Sequence, residues 1–150
     1  VTGERSLHLI SLPLAVWERN GLAAALRKAG LPTEDVSDPG PLFWRFENDD
    51  IPVGFGGLEI HGDQALLRSV VTLPPLRKRG IGRAIIAALE TEARNRGCRA
   101  IWLLAPASDY FTRLGYRQCE RSDAPKAIQA TPQFAKLCPP SAIVLLKRLD

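Results

Sequence analysis

The segment Ser69-Val70-Val71-Thr72-Leu73-Pro74-Pro75-Leu76-Arg77-Lys78-Arg79-Gly80-Ile81-Gly82-Arg83 constrains the fold of this chain more than any other. Its apolar run reads as a buried strand, two prolines stop that strand, and a basic turn with two glycines opens a long helical pattern. Proline donates no backbone N–H and holds the chain extended, so free amides begin at the turn and converge on the start of the helix. There the unsatisfied amides and the positive end of the helix dipole favour an anion. Gly80 and Gly82 let the backbone bend and let an anion approach the amides with no Cβ in the way. The spacing of a Walker loop does not occur, and a GxGxxG fingerprint begun at Gly80 meets Ile85 where its third glycine belongs. What remains is RxxGxG, Arg77 to Gly82, a turn suited to cradling a phosphate.

The 150 residues are most simply one domain, 1–150, large enough for a real core. Lys and Arg exceed Asp and Glu by four, but the local excess sits at Arg77, Lys78, Arg79 and Arg83. No basic run is interleaved with aromatics, so a polyanionic small molecule accounts for the charge better than nucleic acid does. Cys98, Cys119 and Cys138 form no CxxC pair, and with the isolated His8 and His61 they argue against a zinc site and a disulfide framework. No metal is expected, and a reducing cytoplasm is. The apolar stretch Leu7 to Trp17 is broken by Pro13 and reads as a strand entering a helix, not a signal peptide, and no membrane span is expected. Val1 and the lack of Met fit a sequence that begins inside its native one.

Along the chain, Leu7 to Ser11 is a first strand, and Leu14 to Ala29 a helix with Leu14, Trp17, Leu22, Ala25, Leu26 and Ala29 near one stripe, ended by Gly30. Phe43 to Glu47, Ile51 to Ile60 and Gln64 to Leu73 form an antiparallel meander, with Gly56-Gly57 marking a bulge or a close approach. Gly80 to Arg96 is an amphipathic helix closed by Gly97, and the apolar run Ala100 to Leu104 is a central strand parallel to the one ending at Leu73. A short helix from Ala107 to Leu114 is capped by Gly115. Tyr116 to Glu120 is a strand, Asp123 to Leu137 holds one or two helical turns, and Ala142 to Leu149 closes the sheet as an edge strand open to a second copy.

The RxxGxG turn between that strand and helix resembles motif A of the GNAT N-acetyltransferases, and Tyr110-Phe111-Thr112-Arg113-Leu114-Gly115-Tyr116 is similar to the family's FYxxLGF segment. The resemblance covers the whole chain. It implies an α/β (α+β) fold with a mixed, mostly antiparallel sheet of about seven strands, a splayed central pair and flanking helices. It implies acetyl-CoA as co-substrate, without a metal, and a small-molecule amine as acceptor. In motif A the backbone of Val71 and Leu73 would meet the pantetheine amides and a backbone N–H near Val71 or Thr72 the thioester oxygen. The pyrophosphate would sit on amides from Arg79 through Gly80, Ile81, Gly82 and Arg83 to Ala84, with Arg77 and Lys78 as charge partners.

At finer grain, Ala29-Gly30-Leu31-Pro32, Phe55-Gly56-Gly57-Leu58-Glu59, Leu66-Leu67-Arg68-Ser69-Val70-Val71 and Cys138-Pro139-Pro140-Ser141-Ala142 resemble the N-acetyltransferases associated with arsenic resistance (ArsN type). That likeness implies an acceptor among arsenical-linked or toxic amino acids. Glu59 is the leading general base, the alternative being an exposed strand carboxylate paired with Arg68. The family's acid tyrosine aligns with Phe111, which has no hydroxyl, so Tyr110, or after it Tyr116, would stand in for it. Arg45 or Arg68 could hold an anionic group of the acceptor. Separations of 21 and 19 residues make no local arsenic chelate of the three cysteines, and buried structural thiols are the better reading.

Overall fold

A computed structural model describes residues 8–73 and 80–149. Seven strands form one sheet in the order β1-β2-β3-β4-β5-β7-β6. In chain order these are β1 (Ile10–Pro13), β2 (Leu42–Asn48), β3 (Ile51–His61), β4 (Gln64–Thr72), β5 (Ala100–Ala105), β6 (Arg117–Cys119) and β7 (Ile143–Arg148). The helices are α1 (Arg19–Lys28), α2 (Ile81–Asn95), α3 (Asp109–Arg113) and α4 (Lys126–Gln129), with a π-helical turn over Gln133–Leu137. Among the described residues only β4 and β5 are parallel neighbours, as a crossover through α2 requires. The expected fold class is the one observed.

Period-two alternation sends the two faces of the meander to different partners. Trp44, Phe46, Leu58 and Leu67 meet Ile85, Leu89 and Ala93 of α2. Phe43, Phe55 and Val71 meet Leu22 and Leu26 of α1 on the opposite face, where Leu66, Trp102 and Leu146 also receive Ile128 and Phe134. Helices α1, α2 and α3 all end as the glycines foretold. Gly30, Gly97 and Gly115 take positive φ, and the next residue's N–H reaches back five residues in each case, Leu31 to Leu26, Cys98 to Ala93 and Tyr116 to Phe111.

Several expectations are corrected. The first strand lies at Ile10–Pro13, and the first helix begins after a 3-10 turn at Val16–Glu18. Leu14 ends the strand by bonding its N–H to the Phe43 carbonyl, and Trp17, placed on the buried stripe from a 3.6-residue period, sits in the 3-10 turn and is 83% exposed. Strand β7 is no edge. It pairs with β5 on one side and β6 on the other, so among the described residues β1 and β6 are the edges of the sheet.

The bulge expected near Gly56-Gly57 falls opposite them. Ser69 and Val70 of β4 face Gly56 alone, with Ser69 at φ +59°. The glycines serve close approach, since a Cβ on Gly56 would lie 2.7 Å from Leu89 and one on Gly57 2.6 Å from the Phe43 ring.

Candidate active site

The N-terminus of α2 forms the first half of the site. Its N-cap is Gly80, at φ +73°, which offers no side chain to the amides of Ile81, Gly82 and Arg83. A Cβ on Gly82 would stand 3.2 Å from the Tyr110 hydroxyl and 3.6 Å from Thr72 Oγ1, so glycine keeps the mouth of the helix open. Val71, Thr72, Gly80, Gly82, Arg83 and Tyr110 line a cavity of about 820 Å³. Ile81 turns its side chain into the core, leaving only its backbone at the elbow. The Ala84 N–H is bonded to Gly80 O at 3.1 Å and so leaves the expected cradle. Arg77, Lys78 and Arg79 lie outside the described residues.

Beside the elbow the sheet opens. Strands β4 and β5 are paired only from Gln64–Leu66 to Ala100–Trp102, and beyond that their facing edges part. The Leu73 N–H bonds Val53 O at 2.9 Å, so alternation turns the Leu73 and Val71 peptides toward β3 and the Thr72 peptide toward the gap. This corrects the expected backbone contacts from Val71 and Leu73.

The second half is a smaller cavity, about 220 Å³, between the α1–β2 loop and the π-helical turn, and Val70 and Phe111 line both cavities. Its floor carries a buried ion network. Arg68 grips both oxygens of Asp35 and donates to Glu59 at 2.8 Å, and its Nε reaches Ser69 Oγ at 3.1 Å, tying the network to the bulge. Burial works to lower the Arg68 pKa, but hydrogen bonds and charge from Asp35 and then Glu59 outweigh it and raise the value. Arg19 holds the loop that carries Asp35, donating to the carbonyls of Val36, Asp38 and Pro41.

Glu59 is therefore a buried partner of Arg68, 6% exposed, and not an exposed strand carboxylate. His61 stands 3.7 Å from its other oxygen. Arg68, with a side chain 1% exposed, is committed to two carboxylates. Arg45 pairs with Glu47 at 3.0 Å and lines neither cavity. Sequence reasoning missed Asp35, whose loop has no local pattern, and Gln133, whose side chain accepts from the Cys138 thiol at 3.5 Å. The only available signal was that Glu59 and Arg68 share a sheet face.

Tyr110 and Tyr116 part company. Tyr110 is half-exposed, with its hydroxyl at Gly82, whereas Phe111 reaches the junction of the cavities. Tyr116 is buried on the α2 face, donating to Glu90 at 2.9 Å, and Lys147 binds the same carboxylate at 3.0 Å. Burial, then the Glu90 charge, pushes the Tyr116 phenol far above its ordinary pKa, and Tyr116 lines neither cavity. Among the described residues no cluster of three His, Cys, Asp or Glu side chains could hold a metal, and no helix is long and apolar enough to cross a membrane.

A strand pair that parts beside an uncapped helix start is a fold-level signature, and residues 10–116 match the model of the acetyltransferase (GNAT) family. The chain belongs to that family. Over 64 residues it is 31% identical to uncharacterized N-acetyltransferase CT2212 of Chlorobaculum tepidum, covering 43% of this chain and 41% of that protein. It thus spans less than half the length of that relative. N-acetylglutamate synthase from Neisseria gonorrhoeae, solved with coenzyme A and N-acetyl-glutamate, superposes with a TM-score of 0.76 at 16% identity, over 97% of this chain and 36% of that one. A GNAT-family acetyltransferase from Staphylococcus aureus gives 0.69 at 16% identity, over 97% and 100% of the two chains. At such identities the likeness is one of fold.

Proposed function

We propose that the chain is an acetyl-CoA-dependent N-acetyltransferase acting on a small-molecule amine, a single domain working in the cytoplasm. The observation that carries this is the junction of the two cavities at Val70 and Phe111, where the strands part, with the uncapped start of α2 beside it. The larger cavity suits a coenzyme. Gly82 leaves space that a Cβ would fill, and the amides of Ile81, Gly82 and Arg83 form the positive end of a fifteen-residue helix. Arg83 lines that cavity, and Arg77, Lys78 and Arg79 are proposed as further charge partners. Each charge-assisted hydrogen bond contributes about 1.5–3 kcal/mol, so a few hold a diphosphate without a metal.

When bound, acetyl-CoA supplies an activated acetyl thioester. The chain's part is to place the amine and to stabilise charge as it develops. The Val70 peptide, at the Ser69 bulge where the two cavities meet, is the proposed donor to the carbonyl oxygen. Arg68 keeps that bulge in place through Ser69, which makes it a positioning residue rather than a hook for the acceptor. Glu59, held by Arg68, serves better as part of this support than as a base. The leaving thiol has an ordinary pKa of about 8.5, so departure near neutrality tolerates Phe111 in place of a tyrosine. Tyr110 would then touch the coenzyme near Gly82 and not the sulfur.

The likeness to the arsenic-resistance group adds a detoxifying role, supported by the sequence stretches alone. A second reading, a coenzyme-binding domain without turnover, is favoured by Phe111 at the junction. Thiol release from acetyl-CoA with an amine panel that includes phosphinothricin and arsenic-containing amino acids tests both. Acceptor-dependent release is expected; coenzyme binding with no release for any amine would leave only the second reading.

A further inference from the structure

If the chain acetylates amines as proposed above, the walls of the smaller cavity restrict which ones. Leu31, Pro32, Leu104 and Phe111 represent its mostly apolar lining, and its polar members among the described residues are Arg68, Ser69, Gln133 and Cys138. Its volume of about 220 Å³ is roughly that of seven waters, room for a short branched chain or one ring.

Consider first an acceptor bearing a carboxylate. It would need a cation, and Arg68, the one charged side chain lining the cavity among the described residues, is already held by both Asp35 oxygens and by Glu59. A further anion would add a third negative charge to one guanidinium in a desolvated place. Arg45 is off the wall and paired with Glu47.

Consider next an ammonium. It must lose its proton before attack, yet no carboxylate or imidazole lines the cavity among the described residues. Glu59 is turned to Arg68 and His61. The Cys138 thiol donates toward Gln133, and burial holds it protonated by raising its pKa. An alkylamine with a pKa of ~10.4 is neutral in about one molecule in a thousand at pH 7.4, an α-amine at ~7.8 in roughly a quarter. The apolar wall selects the neutral form and supplies nothing to make it.

We infer that the acceptor is a small, apolar-bodied amine of low basicity without a carboxylate, of the α-amino amide or arylamine kind, which binds neutral and brings its own free base. A detoxifying role would then concern amines of this kind and not free amino acids.

Three near-isosteric probes test this on the intact chain: valinamide, valine and isobutylamine. With coenzyme A present, calorimetry is expected to show valinamide binding more than about tenfold tighter than valine, because an unpaired buried charge costs more than the 1.4 kcal/mol equal to a factor of ten. Valinamide should also exceed isobutylamine in kcat/KM at pH 7.4, with each pH profile rising at the acceptor's own pKa. Replacing Leu31, 39% exposed at the rim, by arginine (Leu31→Arg) should narrow the gap between valinamide and valine. Valine binding as tightly as the amide, or isobutylamine matching its rate with a midpoint set by an enzyme group, would overturn the inference. Coenzyme A titration separates the failures. A protein that binds coenzyme and prefers valine loses only the acceptor class, whereas one that binds no coenzyme loses the transferase proposal as well.

Discussion

The two cavities that meet at Val70 and Phe111 are built in opposite ways. The larger is a backbone structure, a helix start kept bare by Gly80 and Gly82. The smaller is a side-chain structure, walled by residues from the α1–β2 loop, β4, β5, α3 and the π-helical turn, and floored by an ion network among Asp35, Glu59 and Arg68. A backbone cradle is damaged by adding atoms, whereas a charged floor is damaged by removing them. The first kind of change should therefore alter affinity and spare the fold, and the second should do the reverse.

Arg68→Met should have the largest effect. It strands two carboxylates that are buried together, and losing one partner of such a set costs about 3–5 kcal/mol. Urea unfolding measures it; a loss below about 1 kcal/mol would mean that the floor relaxes to water and is not a support. Gly82→Asp comes next. It should weaken coenzyme A binding by about ten- to a hundredfold, the equivalent of one charge-assisted hydrogen bond lost, while the exposed Tyr110 swings aside and stability barely moves. Undiminished affinity in calorimetry would contradict the cradle.

How far each half was legible in the sequence follows from the same contrast. The elbow is encoded within a dozen consecutive residues, because strand end, proline, glycine and helix start must be neighbours in the chain. Fold class and helix stops at Gly30, Gly97 and Gly115 were readable for that reason. Which amides are already bonded was not. Ala84 was placed in the cradle and Leu73 against the pantetheine, yet Gly80 and Val53 take their N–H groups, a fact of pairing and not of composition. The floor joins Asp35 to residues 24 and 33 positions away, so only the shared face of Glu59 and Arg68 hinted at it. Trp17 failed for a local reason, a 3-10 turn where a helical period was assumed. Strand β7 failed for a global one, since chain order does not say that the last strand inserts between β5 and β6.

Two smaller effects sharpen the contrast further. Tyr116→Phe, which removes the hydroxyl bonded to Glu90 and keeps the ring packed on Phe111, should cost about 1–3 kcal/mol and leave kcat unchanged. Because the folded protein keeps the phenol proton that the unfolded chain releases, wild-type stability should fall as pH rises past about 10, and the variant should show a flatter fall. An equal alkaline slope in both would argue that Tyr116 is not the group responsible. Tyr110→Phe is expected to do least, weakening coenzyme affinity a few-fold through the hydroxyl beside Gly82 with kcat preserved. A large drop in kcat at unchanged KM would instead make Tyr110 the acid.

A crystal structure with acetyl-CoA bound tests the central claim most directly. Density for the diphosphate against the amides of Ile81, Gly82 and Arg83, with the acetyl group between β4 and β5 at Val70 and Phe111, is the expected result. A thioester lying outside the gap, or a diphosphate held away from the α2 N-terminus, would contradict it.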